Sequence, residues 1–419
     1  MFARGLPTTC LTWSGDHIRT KQALSPQRLA AGIANIDSQR KKPYNCLMKT
    51  FIVGGTGFLG YYTCLELLRR GHEVSTLAHM SPPDELDFPK EVKLDIADMN
   101  KISDDALLAH LQGADGLIFA AGVDDRVVPK APAYPFFYAG NVRTTERVIR
   151  LAKQAGVKRA VIFSSYFVAC HQMWPELKLS ESHPYIKSRV EQIEAARRVA
   201  GDEMTVSFLA LPYIFGAMPG RMPLWAPLLS YLESTLPWVF YPAGGSAMVS
   251  VKEVARAAVG AMEQGEPGKV YSIASENLSW PEFLTRLGHV LQKRKKIVTL
   301  PNWLVKFGAG LIVLYHKLQG REAGLDLVPY VQVQTRNAFL NLDDAPKELG
   351  YEHADLQEAF KETVKFNRRS RKKIRIIRHR WTENEKVNHM AGSTGYENLV
   401  VYPEHRFRRC LGFRFPGAG

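Results

Sequence analysis

The chain has 419 residues, enough for two or three domains of about 150 residues each, and no apolar run as long as a membrane span. Its net charge of +14 comes from the two ends, because residues 48–364 carry 34 Lys and Arg against 35 acids. These numbers exclude a basic core that binds nucleic acid, and we expect a globular body whose partners are small molecules and not membranes.

The two ends differ from the body in composition. Residues 1–47 carry 7 bases, 2 acids and no clear periodicity, so we expect an N-terminal extension that is disordered or not native. Residues 366–419 start with the basic run Arg368–Arg380 and are expected to be a disordered tail, for which nucleic acid or anionic lipid is the less favoured partner. Five scattered cysteines without a CxxC pair predict no metal site and indicate the reducing cytoplasm.

Apolar runs and helical patterns alternate between residues 48 and 211. Short apolar strands are predicted at residues 49–55, 72–78, 92–98, 115–122, 159–165 and 205–212. Helices are predicted between them at residues 58–70, 106–114, 142–156 and 185–201. Continuously apolar strands separated by helices predict an α/β fold, a Rossmann-type doubly wound parallel sheet.

The pattern loosens after Pro212. Residues 222–245 are rich in aromatic residues and prolines and are expected to cover a substrate. Residues 250–265, 279–293 and 355–366 are predicted helices, and residues 269–275 a strand, so residues 212–365 form a smaller substrate-covering region that returns to the sheet. The apolar stretch Trp303–Tyr315 is expected to be a buried or amphipathic helix, with membrane-surface contact less favoured.

A glycine-rich turn joins the first strand to the first helix. Its glycines at spacing three allow a tight turn, close approach of backbone N–H groups to a pyrophosphate and close helix–strand packing. In this context the turn predicts an NAD(P) site and makes residues 48–211 the cofactor-binding domain. The predicted contacts in the turn are Gly54, Thr56, Gly57, Phe58, Leu59 and Gly60.

The choice between NAD and NADP depends on the end of the second strand. That strand ends at Leu77-Ala78-His79-Met80, where no carboxylate repels a 2′-phosphate and His79 can assist one. NADP is therefore slightly favoured. Asp95 and Ile96, at the end of the third strand, are predicted to contact the adenine, although a plain turn is nearly as good an explanation of Asp95.

Six motifs follow one another along the chain: GGTGFLG, FAAG, GNVRTTERVI, VIFSS, PYIKSR and LPYIFG. In order and spacing they resemble the extended short-chain dehydrogenase/reductase superfamily, most closely its NAD-dependent epimerase/dehydratase branch, over residues 48–365. The resemblance implies hydride transfer at a secondary alcohol or ketone, including sugar-nucleotide-like substrates, and allows a homodimer. It implies that Ala120, Ala121 and Gly122 border the nicotinamide-side ribose and that Pro212 lies near the carboxamide.

The resemblance also implies a catalytic tyrosine, serine and lysine. Tyr185 takes the place of the tyrosine and acts as acid and base, and Ser165, or Ser164 if the register shifts, takes that of the serine. Arg189 stands where the lysine is expected. A cation about 4 Å from the phenol contributes about 4 kcal/mol, which arginine supplies as well as lysine. Arginine does not readily release a proton, so the first alternative is a non-catalytic NAD(P)-binding sensor or scaffold. The second alternative is an interaction protein that acts through its basic tail.

Overall fold

A computed structural model of the chain describes residues 47–221 and 223–371, so the predictions for residues 1–46 and 372–419 lie outside the described residues. Thirteen strands occur in the described part. They are β1 (Lys49–Val53), β2 (Glu73–Ala78), β3 (Lys93–Ile96), β4 (Gly116–Phe119), β5 (Arg159–Ser165), β6 (Thr205–Leu211), β7 (Tyr213–Phe215), β8 (Trp238–Pro242), β9 (Gly245–Ser250), β10 (Val270–Ser272), β11 (Glu276–Ser279), β12 (Lys296–Leu300) and β13 (Asn337–Ala338).

The helices of the described part surround these strands. They are α1 (Phe58–Arg69), α2 (Asp104–Leu111), α3 (Tyr134–Phe137), α4 (Thr144–Gln154), α5 (Phe167–Met173), α6 (Leu179–Ser182), α7 (Pro184–Ala200), α8 (Ala226–Glu233), α9 (Val251–Gln264), α10 (Trp280–Val290), α11 (Asn302–Leu318), α12 (Leu327–Gln334), α13 (Asp344–Leu349) and α14 (residues 356–371). A π-helical turn, Tyr138–Arg143, joins α3 directly to α4, and a short 3₁₀ turn, Pro175–Leu177, precedes α6.

The main sheet has seven parallel strands in the order β10-β6-β5-β4-β1-β2-β3. Helices cover both of its faces. On one face Ile52 packs with Leu67 of α1 and Val254 of α9, and on the other Phe51 packs with Val148 of α4. The central strands β1, β4, β5 and β6 are buried over nearly their whole length, as a sheet covered on both faces requires. The predicted Rossmann-type α/β fold is confirmed.

Residues after Pro212 contribute both to the main sheet and to smaller ones. β10 extends the main sheet, β9 pairs with β7, β11 and β13, and β8 pairs with β12. Ser279 and Glu282 form the capping box of α10, as a serine three residues before a glutamate predicts. The domain boundary near residue 211 stays a prediction, since β10 and α9 belong to the same packed layers as the N-terminal strands.

Three segments differ from the sequence prediction. The chain is helical from Tyr134, eight residues before the predicted start, because α3 and the π turn continue into α4. Of the two expectations for Trp303–Tyr315, a buried or an amphipathic helix, the buried one is wrong, because α11 has no buried residue. Residues 366–371, expected in the disordered tail, are the last residues of α14. Over residues 47–221 and 223–371, no helix is long and apolar enough to cross a membrane.

Candidate active site

The glycine turn between β1 and α1 has the shape that a dinucleotide needs. Gly54 has a φ of +95°, and a Cβ on Gly60 would lie 2.2 Å from the carbonyl oxygen of Gly54. A Cβ on Gly55 would lie 2.3 Å from the Thr76 hydroxyl. Gly55 is not one of the three glycines whose spacing predicted the site. No side chain caps the start of α1 at Gly57, so its N–H groups and dipole are available to a phosphate. The residues present therefore fit an NAD(P) pyrophosphate.

The other predicted residues of the turn have mixed surroundings. The Thr56 hydroxyl donates to the carbonyl of Met80 at 2.8 Å, which ties the turn to the residues after β2. Phe58 packs edge-on against Tyr62, with ring centroids 6.0 Å apart, and Leu59 packs against the core. The side chains of Phe58 and Leu59 thus hold α1 in place.

Two carboxylates lie near the ends of β2 and β3. His79 is exposed and lies 4.0 Å from Asp98. The NADP prediction considered only residues 77–80 and therefore did not include Asp98. Lys101 also lies 3.8 Å from Asp98. Asp95 lies 3.4 Å from His110 of α2, so its carboxylate has a protein partner, while Ile96 is exposed at the strand end. The end of β2 therefore does have a carboxylate nearby, although two basic side chains flank it.

The end of β4 links the cofactor turn to the predicted catalytic residues. A Cβ on Gly54 would lie 3.2 Å from the Ala120 carbonyl oxygen and 3.6 Å from the Ala121 nitrogen. Gly122 has a φ of +152°, and a Cβ there would lie 3.3 Å from Nη1 of Arg189. Pro212 is buried where β6 ends, beside the paired Ser165 and Leu211.

The three predicted catalytic side chains come together. Tyr185 lies in the first turn of α7, 3% exposed, and Nε of Arg189 donates to its hydroxyl at 3.2 Å. The Ser165 hydroxyl is close enough to the same phenol to lower its pKa and also accepts from the Phe167 N–H at 3.4 Å. The Ser164 hydroxyl is buried without a partner in the described part of the chain. The end of β5 and the start of α7 thus bring the pair together as predicted, and the catalytic roles stay predictions.

Protein groups also hold the rest of the Arg189 guanidinium. Nη1 donates to Gln192 Oε1 at 3.0 Å, and Nη2 donates to the Val123 carbonyl at 3.1 Å. Gln192 is fixed in turn by Thr145, to whose hydroxyl it donates at 2.9 Å. All three guanidinium nitrogens thus have protein partners, so Arg189 is a fixed charge beside Tyr185.

Asn141 in the π turn supports this arrangement, and sequence reasoning did not single it out. Its Oδ1 accepts from the Val123 N–H at 2.8 Å, and its Nδ2 donates to Ser188 at 3.1 Å. The side chain therefore connects the loop after β4 to α7. π-Helical turns are frequent at functional sites, and the motif that contains Asn141 was the available signal.

Electrostatics at Tyr185 combine opposing effects. Burial raises the pKa of the Tyr185 phenol, while the Arg189 charge and the Ser165 hydrogen bond lower it. The Asp125 carboxylate raises that pKa further, and burial together with Asp124 raises the pKa of Asp125 itself. Asp125 lies in a turn after β4 and is half-buried.

Aromatic rings surround Tyr185 on the side away from Arg189. Phe137 and Phe167 contact it edge-on, with ring centroids 5.6 Å and 6.2 Å away. Phe167 also contacts Tyr330, whose hydroxyl lies 3.4 Å from that of Tyr213. The ring of Tyr185 is therefore packed among aromatic side chains, while its hydroxyl meets the Arg189 guanidinium.

His183, just before α7, is fully buried. Its Nδ1 accepts from the Asp326 N–H at 3.1 Å, and Nε2 has no partner within the described residues. Burial lowers the pKa of His183 to about 4, partly opposed by Asp326. The neutral imidazole therefore supports the start of α7, in which Tyr185 lies.

This histidine predicts a pH dependence of stability. As pH falls from about 6.5, the unfolded chain binds the proton first, so the folded state loses about 3 kcal/mol by pH ~4. In His183→Gln, whose amide oxygen can still accept from Asp326, the free energy of unfolding in urea should lack this loss over the same range. Parallel pH curves for the two proteins would contradict the prediction.

A Rossmann-type sheet, a phosphate-fitting glycine turn and a Ser165–Tyr185 pair define an NAD(P)-dependent enzyme of the extended short-chain dehydrogenase/reductase superfamily. A sequence model described as the NAD dependent epimerase/dehydratase family matches residues 50–274, more than half of the chain. The chain belongs to that family, as the six motifs predicted.

Relatives with assigned activities include an epimerase and a reductase. The UDP-glucose 4-epimerase of Klebsiella pneumoniae is 29% identical over 149 residues, 34% of this chain and 100% of that protein. The putative dihydroflavonol 4-reductase of Synechocystis sp. is 24% identical over 333 residues, 75% of this chain and 93% of that protein. Among solved structures, the UDP-glucose 4-epimerase of Bifidobacterium longum in complex with NAD⁺ and UDP has a TM-score of 0.56 at 19% identity, covering 76% of this chain and 98% of that one.

Proposed function

We propose that this enzyme reduces a ketone to a secondary alcohol with NADPH, and that Tyr185 supplies the proton. The bound nicotinamide supplies the hydride to the carbonyl carbon. The Tyr185 phenol donates its proton to the carbonyl oxygen, and the Ser165 hydroxyl donates a hydrogen bond to the same oxygen. The observation that carries the proposal is the meeting of Ser165, Tyr185 and Arg189 in one buried site.

Reduction is favoured over epimerisation by one observation. The sequence similarity to the reductase extends over 75% of this chain, whereas that to the Klebsiella epimerase covers 34%. The rings of Phe137 and Phe167 are buried, 0% and 4% exposed, so they pack behind Tyr185 and do not select the substrate. We therefore propose a ketone substrate without narrowing its class further.

The test is steady-state oxidation of NADPH with two sets of substrates. Cyclic and aromatic ketones form one set, and UDP-glucose, assayed for its 4-epimer, forms the other. We expect turnover with members of the ketone set and none with UDP-glucose. Epimer formation without ketone reduction would overturn the proposed reaction, and tight NADPH binding with no turnover of either set would favour a non-catalytic role.

A non-catalytic NAD(P)-binding sensor is the second candidate. It is favoured by the position of Arg189, whose guanidinium is held by Val123, Gln192 and Tyr185 instead of reaching outward. In such a protein Ser165 and Tyr185 would only shape the site. Hydride transfer by the wild-type protein, lost in a Tyr185 variant, discriminates between the two candidates.

For the cofactor we propose a preference for NADP(H), supported by Arg221. Its Nη2 donates to the Thr56 carbonyl in the glycine turn at 3.1 Å, and its Nε is buried with no partner in the described part. The loop that carries Arg221 lies against the residues after β2, since a Cβ on Gly220 would be 2.2 Å from Pro83. Besides Asp98, the Glu85 carboxylate lies in this region, 2.7 Å from a Cβ on Gly220, and Arg221, His79 and Lys101 are the basic groups available to a 2′-phosphate.

Arg221→Gln should weaken NADPH binding by roughly tenfold to a hundredfold, because a hydrogen bond to a charged group contributes about 1.5–3 kcal/mol. The loss for NADH should be smaller. Binding is measured by the fluorescence of either reduced cofactor. Arg256→Gln is the matched control, since Arg256 also donates to backbone carbonyls, of Glu352 and His353, but on α9. Unchanged NADPH affinity, or tighter binding of NADH than NADPH by the wild type, would refute the preference.

A further inference from the structure

The strongest unexplained feature outside the active site is the outward face of α11. Five large apolar side chains lie on it at spacings of three or four residues, so they form one stripe along the helix. They are Trp303, Phe307, Leu311, Leu314 and Leu318, and each is between 54% and 79% exposed. The opposite side, with Val305, Ala309 and Val313, is half-buried where α11 packs against α12. A helix that turns its apolar stripe outward needs a partner for that stripe.

Large apolar side chains are also exposed on the strand pair that precedes α11. β12 leads into α11 through Pro301 and is paired with β8. On β8, Trp238 and Phe240 are two residues apart and both are about half exposed, 48% and 47%. β8 and α11 thus each expose a tryptophan and a phenylalanine. Several large exposed aromatic side chains in one region are typical of a docking surface.

The basic residues before and on α11 indicate that the partner of the stripe is anionic. Residues 293–321 carry seven Lys and Arg and no acid, whereas residues 48–364 as a whole are close to neutral. The basic residues are Lys293, Arg294, Lys295, Lys296, Lys306, Lys317 and Arg321. Lys306 and Lys317 lie on α11 itself, and Lys293, Arg294 and Lys296 are exposed on the segment before it. An apolar helical face with a tryptophan near one end and such basic residues beside it in the chain is the pattern of a helix that lies in a membrane interface.

Other occupants of the stripe fit these charges poorly. A second copy docked by the same face would bring two basic surfaces together, as an isologous interface requires. The chain's own ends are also basic, with 7 bases and 2 acids in residues 1–47 and 14 and 4 in residues 365–419. An anionic surface with an apolar interior satisfies both the stripe and its charges.

We propose that α11 docks the enzyme on the surface of a bilayer containing anionic phospholipids, with its apolar stripe inserted at the level of the headgroups. The helix lies in the interface and does not cross the bilayer. This proposal is independent of the reaction catalysed and replaces the sequence expectation that the chain has no membrane partner.

The test uses the full chain and sedimentation with vesicles of phosphatidylcholine alone or mixed with phosphatidylglycerol. We expect binding to the mixed vesicles and much weaker binding to phosphatidylcholine. Phe307→Ser with Leu311→Ser should weaken binding at least tenfold, because each removes an exposed apolar side chain that lipid would bury. Met173→Ser, at an apolar residue that is 41% exposed on α5, is the matched control and should bind as the wild type does.

Since the basic run Arg368–Arg380 also attracts anionic vesicles, insertion of α11 is read out separately. Lipids brominated on their acyl chains should quench tryptophan fluorescence, and Trp303→Phe should remove most of this quenching. NADPH affinity, measured on every variant, checks that the fold is intact. Equal vesicle binding by the wild type and the Phe307/Leu311 variant would overturn the proposal, and so would a dimer that the same variant converts to a monomer.

Discussion

Replacing Tyr185 with phenylalanine is expected to lower kcat for ketone reduction by about 10²- to 10⁴-fold, the range for loss of a general acid. The phenol hydroxyl is the group that Ser165 and Arg189 both contact, and phenylalanine keeps the ring packed against Phe137 and Phe167. The dissociation constant for NADPH should therefore stay within a few-fold of wild type.

Tyr330→Phe is the matched control for this experiment. Its hydroxyl lies in the same aromatic surroundings, and its hydrogen-bond partner within the described residues is the Tyr213 hydroxyl, at 3.4 Å. We expect it to retain kcat within about tenfold, since it removes no proton donor. A Tyr185→Phe protein that keeps wild-type turnover, with its thermal unfolding unchanged, would show that another group delivers the proton.

The fold could be predicted because its signals are local. Each strand of the main sheet is a short apolar run, and each glycine of the turn after β1 stands beside the helix whose start it shapes. The Ser165–Tyr185 pair could be placed for a similar reason, since one residue ends a strand and the other begins a helix. The i, i+4 spacing of Tyr185 and Arg189 then sets both side chains on one helical face.

The sequence could not predict contacts between distant segments. Arg221 donates to the carbonyl of Thr56, which is 165 residues away in the chain. Asp98 lies near His79, but it is not part of the end of β2 from which the cofactor preference was predicted. α11 shows a further limit. The periodicity of residues 303–318 indicates which residues share a face, but whether that face meets the core, solvent or a bilayer depends on how the neighbouring elements pack.

The largest effect away from the phenol itself is expected at Arg189, which replaces the lysine of the motif. Arg189→Leu removes a charge whose Nε lies 3.2 Å from the Tyr185 hydroxyl. At an effective dielectric of ~20 a charge at about 4 Å contributes about 4 kcal/mol, or roughly three pKa units. The pKa of Tyr185 should rise accordingly in the leucine variant, and less phenolate is then available at neutral pH.

In the reverse direction, alcohol oxidation with NADP⁺, Tyr185 must act as a base. The acidic limb of the pH profile of kcat/KM should therefore move upward by roughly three units in Arg189→Leu, with a loss of about 10³-fold at neutral pH. Arg189→Lys keeps the charge and should shift the limb by about one unit or less. A purely structural role for Arg189 predicts a loss of activity in both variants with the limb unmoved, and that result would remove Arg189 from the proton chemistry.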